Sequence, residues 1–159
     1  MKKLLVLFIA SSLALVSCSK DEIQDDLNHQ EVKAENLAGH TWDIKHIKIH
    51  EANLEGKELN SAQRTTLQGL IKMSNEKLVL KKEDKMYFKF NDKNYNGTWI
   101  ATADKDKWSI KFTDTVPFGV DGHLQIRNGR LYFTLGGMDY TINGKHYVIA
   151  KIEFELIKN

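Results

Sequence analysis

The sequence predicts an all-β fold: an eight-stranded antiparallel up-and-down β-barrel with one short helix between its first two strands. Three observations carry this. Apolar residues recur with period two through most of the chain beyond residue 37, so each run has one buried face and one wet one. Short polar turns separate the runs, two of them Asn-Gly pairs, Asn128-Gly129 and Asn143-Gly144, which suit a two-residue hairpin with positive φ at both central positions. The strands also follow one another by hairpin, and eight strands in a meander close naturally into a barrel without exposed edges.

The first strand is expected over Thr41 to His50. Its apolar set changes phase, with Trp42 and Ile44 on one face and Ile47 and Ile49 on the other, which requires a bulge near Lys45 or His46. The stretch NSAQRTTLQGLIKMS follows as the one helix. Asn60 can cap it with Gln63 three residues on, and Leu67, Leu70 and Ile71 form a narrow apolar stripe. The helix is expected to lie across one end of the barrel, held by packing because Gly69 lowers its propensity by about 1 kcal/mol.

The remaining strands are expected over Glu76 to Lys82, Lys85 to Asn91, Asn94 to Thr102, Lys107 to Thr113, Gly122 to Arg127, Arg130 to Ile142 and Lys145 to Ile157. Their inward sets are Met86, Phe88 and Phe90; Trp108, Ile110 and Phe112; Leu131, Phe133 and Leu135; and Val148, Ala150, Ile152, Phe154 and Leu156. Turns are expected at Glu83-Asp84, at Asp92-Lys93 and between Ala103 and Asp106, besides the two Asn-Gly pairs. Gly136-Gly137 should bend or bulge the long seventh strand.

Residues 1–17 read as a signal peptide, with Lys2 and Lys3 ahead of an apolar run from Leu4 to Val16. That run is too short for a bilayer-spanning helix, which needs about 20 apolar residues. Leu15, Val16, Ser17 and Cys18 resemble the lipobox of bacterial lipoproteins, which implies cleavage before Cys18 and acylation of that residue. Cys18 is the only cysteine, so once lipidated it leaves neither disulfide nor reactive thiol. At about 0.8 kcal/mol per buried methylene, several acyl chains anchor a protein without any spanning segment. Ser19, Lys20, Asp21 and Glu22 resemble the Lys-acidic-acidic export signal of Bacteroidota surface lipoproteins. This implies display at the cell surface, the alternative being an outer-membrane lipoprotein that faces the periplasm.

Residues 18–36 are expected to be the lipidated cysteine and a flexible acidic tether, with Lys20 and Lys33 against six carboxylates. Residues 37–159 form the single globular domain. Its formal charge is mildly positive, too mild to predict a nucleic-acid partner.

Within that domain, LAGHTWDI, YFKF, NGTWI and KWSIKF resemble the lipocalin-like domains of Bacteroidota lipoproteins. The resemblance spans Leu37 to Asn159. It implies an up-and-down barrel, a first-strand tryptophan, Trp42, plugging the closed end, and a cavity for a small apolar ligand. Two features depart from lipocalins proper: two residues rather than one separate Gly39 from Trp42, and no late-strand arginine matches.

No catalytic arrangement is legible, and the protein is not expected to be an enzyme. No serine lies in a nucleophile elbow, no glycine-rich phosphate loop is present, and Glu153 with Glu155 reads as a solvated outer face. His46 and His50 on one extended strand stand roughly 13 Å apart at about 3.3 Å per residue, too far to share a metal, so neither metal nor cofactor is expected. The candidate ligand-binding residues are the barrel interior and its rim: Trp42, Phe88, Phe90, Trp108, Phe112 and Phe133, with Phe118 from the apolar loop DTVPFGVD. An eight-stranded barrel can hold one small ligand or be filled by its own side chains. The leading expectation is therefore non-covalent binding of a small apolar or amphipathic ligand inside the barrel. The alternative is a surface module with a filled interior that binds a protein or a glycan through its loops or outer face.

Overall fold

The computed structural model describes residues 32–71, 73 and 75–159; the signal peptide, Cys18 and most of the tether lie outside the described residues. The strands are β1 (His40–Leu54), β2 (Lys57–Glu58), β3 (Lys77–Leu80), β4 (Lys85–Phe90), β5 (Lys93–Ala101), β6 (Lys107–Phe112), β7 (Asp121–Arg127), β8 (Arg130–Leu135), β9 (Met138–Ile142) and β10 (Lys145–Lys158), with a single α-helix, α1 (Ser61–Leu70). Hydrogen bonding runs β1-β3-β4-β5-β6-β7-β8-β10, and β10 pairs back onto β1. Those eight antiparallel strands form a closed barrel, so its wall has no free edge along most of its circumference.

The hairpins are built where the turn chemistry allows. Glu83-Asp84, Asn91-Asp92, Asn128-Gly129 and Asn143-Gly144 all take positive φ at both residues, the type I′ requirement. The second turn thus falls one residue earlier than Asp92-Lys93, which lets Phe90 pair Lys93 directly. A further turn of this kind, Glu55-Gly56, carries β1 into the short β2, extending the first strand beyond its expected end at His50. The long seventh strand is divided at Gly136-Gly137 into β8 and β9, and β9 leaves the barrel to pair only with the start of β10. Beyond the barrel, the far ends of β1 and β10 continue as a ribbon flanked by β2 and β9.

Bulges set which side chains face inward. Lys45 is skipped in the β1–β10 register, as the change of phase in the sequence requires, and so are His50 on β1 and Ala150 on β10. The skip at Ala150 corrects the expected inward set of the last strand: Ile149 is fully buried and Ala150 exposed. A residue left out of the ladder turns every later side chain to the opposite face.

At one end the chain itself forms the floor. The Val32 N–H donates to the Gly129 carbonyl, a 3-10 turn spans Ala34–Asn36, and the Trp42 indole N–H donates to the Leu37 carbonyl at 3.4 Å. Residues 32–36, placed in the tether by their composition, are thus part of the folded body. Helix α1 has the expected capping box, Asn60 and Gln63 each accepting from the other's backbone N–H. Leu67 and Ile71 are buried, but Leu70 is 45% exposed, so the buried stripe is narrower than the sequence indicated. The helix packs along β1 rather than across a barrel end: β1 pairs with β3 only as far as Asp43, and farther along Gln68 Oε1 accepts the Ile49 N–H at 3.2 Å.

Candidate functional site

The seven interior candidates are all buried, from 0% exposed for Phe88 and Phe133 to 8% for Trp108. Phe88 lies at the centre of an aromatic cluster, with ring centroids 5.3 Å from Phe133, 5.8 Å from Phe118, and 5.9 Å from Phe90 and Phe154. Phe118 closes the cluster from above, 4.9 Å from Phe112 and 5.6 Å from Phe90. These separations fall in the range of favourable edge and tilted ring contacts. The apolar loop DTVPFGVD thus folds Phe118 under against these rings, where it is 6% exposed. Trp42 and Trp108 stand apart from this cluster; Trp108 meets Trp99, whose indole N–H donates to the Lys81 carbonyl.

The loop is held in place by close backbone approach. The Gly119 N–H donates to the Gly136 carbonyl at 2.6 Å, and a Cβ on Gly136 would stand 2.5 Å from the Ala150 carbonyl oxygen. Tyr140 of β9 adds its ring edge-on to Phe90 at 6.3 Å, and its burial, helped by Glu76, pushes the phenol well above its ordinary pKa.

A second candidate lies outside the barrel and was not legible as a site in the sequence. A groove of about 1040 Å³ runs between α1 and the outer wall. Ser61, Arg64, Thr65 and Gln68 line it from the helix, a spacing that places them on one helical face. The wall contributes His46, Lys48 and His50 from β1, Glu153 and Glu155 from β10, Tyr132 from β8 and Arg127 from β7. A smaller hollow of about 320 Å³, bounded by Asp43, Glu76, Lys77 and Lys89, also lies on the exterior.

Glu153 and Glu155, expected to be solvated, are only 15% and 11% exposed at the side chain. Arg127 Nη2 meets Glu153 Oε2 at 2.7 Å, Arg130 Nη1 meets Glu155 Oε1 at 3.1 Å, and the Arg127 guanidinium lies over the Tyr132 ring at 3.8 Å. The pairing is set by register: Tyr132 faces Glu155 and Thr134 faces Glu153 across β8 and β10, and the β7–β8 hairpin supplies both arginines. His50, at its bulge, places Nε2 3.6 Å from Glu153 Oε1, and that buried nitrogen has no hydrogen-bond partner among the described residues. On the same wall His123, opposite Thr134, has its pKa pulled down by burial first and then by Lys151.

Among the described residues no group of three or more His, Cys, Asp or Glu side chains converges as a metal site. Comparison of the chain with protein-family models, with curated proteins and with solved structures finds no match.

Proposed function

We propose that this protein is a lipid-anchored, lipocalin-like lipoprotein of the outer membrane, displayed at the cell surface, whose barrel is a non-catalytic module that binds a protein or a glycan on its outside. The membrane assignment rests on the basic and apolar opening of the chain and on the lipobox ending in Cys18. The choice of the outer surface over the interior rests on one observation: the aromatic rings that would line a ligand chamber are in contact with one another. An apolar ligand would have to displace those contacts. The outer groove requires no such rearrangement and offers charged and hydrogen-bonding groups.

Two experiments test this reading. Replacing Cys18 with alanine should move the protein from the membrane to the soluble fraction; continued membrane partition would contradict the anchor. Native mass spectrometry after exposure to a lipid extract of the protein's own cells should show no stoichiometric adduct. A reproducible one-to-one adduct that disappears in Phe112→Trp would return the ligand to the barrel interior.

A further inference from the structure

The groove beside α1 carries charge of both signs, but not in equal measure. Lys45, Lys48, Arg64 and Arg127 line it against two carboxylates, Glu153 and Glu155. Arg127 is paired with Glu153, Arg130 from outside the groove holds Glu155, and Arg64 lies 3.9 Å from Glu58, so the positive surplus is modest and includes the exposed Lys48. Beside them lie the His50 side chain, 30% exposed, and, on the helix, Thr65 and Gln68. The lining also includes Ile44, Ile47, Ile71 and Met73, so a matching ligand brings some negative charge, groups that both donate and accept, and an apolar face. Sugar hydroxyls do the second, since each can give a hydrogen bond to a glutamate oxygen or take one from a guanidinium, amide or imidazole N–H.

We infer that this groove binds an acidic oligosaccharide, a chain of sugar hydroxyls bearing carboxylates; the inference rests on the outer-surface reading above and names its ligand class. At about 1040 Å³ the groove lies at the upper end of the roughly 300–1,000 Å³ typical of small-molecule sites, which suits several linked sugar rings. An acidic peptide is the competing ligand. Extended peptides draw affinity from adding to an unpaired strand edge, but at the groove the Ile49 N–H on the β1 edge is already taken by Gln68.

The test is titration of the purified whole chain with a tetramer of galacturonic acid and with its methyl ester, followed by calorimetry and amide NMR. The acid should bind at least about tenfold more tightly than the ester, a difference of about 1.4 kcal/mol, and its binding should weaken as salt rises. Its amide shifts should fall at His50, Arg64 and Gln68, leaving Ile100 on the far wall unmoved. Lys48→Gln, at an exposed position, should weaken binding several-fold with little change in melting temperature, since it removes the charge without placing a carboxylate opposite Glu153. Arg127→Gln should weaken it further, and Lys48→Gln keeps the test valid if that variant unfolds. Equal binding of acid and ester, no binding of either, or shifts confined to residues outside the groove would overturn the assignment while leaving outer-surface binding intact. Binding of tetraglutamate in place of the sugar would assign the groove to a peptide. An apolar adduct inside the barrel would instead overturn the reading on which this inference rests.

Discussion

Phe88 shows what a single residue carries in this fold. It is fully buried and touches four other rings, so Phe88→Ala removes both apolar burial and ring contacts. The expected cost is about 3–5 kcal/mol, measured as a lower urea midpoint. Two titrating side chains contribute to the pH dependence of stability. His123 has a folded pKa below its ordinary 6.5, so the unfolded chain binds the proton first and stability falls as pH drops through 6.5. Tyr140 is shifted above its ordinary 10, so stability falls as pH rises past 10, where only the unfolded chain loses the phenol proton. Tyr140→Phe should remove that part of the alkaline slope in melting temperatures measured from pH 8 to 11; an unchanged slope would deny Tyr140 the role. The inward phenylalanines were readable because a strand alternates its faces. The burial of Glu153 and Glu155 was not, because their cover comes from arginines of another hairpin and a groove walled by a helix far away in sequence.

Elements were legible where local chemistry decides them and obscure where a neighbour does. The Asn60 cap, the Asn-Gly turns and the bend at Gly136-Gly137 each follow from the backbone needs of the residues present. The skip at Ala150 depends instead on how β10 meets β1, and nothing within YVIAKIEFELI marks it. The same holds for Leu70, whose exposure reflects a helix packed along β1 rather than over a barrel mouth. Gly136 makes the point quantitatively. A Cβ there would meet the Ala150 carbonyl oxygen at 2.5 Å, so the backbone would have to shift and carry the Phe118 loop with it. Gly136→Ala is expected to destabilise by about 1–3 kcal/mol. Asn60→Ala should cost about 1 kcal/mol, and by loosening α1 it should speed hydrogen exchange at the Ile49 amide held by Gln68.

For the whole molecule, closure of the wall was foreseeable from eight alternating runs joined by tight turns, and the barrel meets that expectation. What periodicity could not decide was the state of the interior, because the same inward aromatics can surround a ligand or one another. The loop residue Phe118 bears on that balance: it is buried and packs onto Phe88, Phe90, Tyr95 and Phe112. The proposed binding surface is the outer groove, where the helix, the strand bulge and Arg127 of the β7–β8 hairpin converge. The most direct measurement is a crystal of the protein under xenon pressure, since xenon enters apolar cavities large enough to hold it. The expected result is no xenon among Phe88, Phe118, Phe133 and Phe154; a well-occupied site among those rings would mean that the barrel keeps a chamber, and would place the ligand inside it.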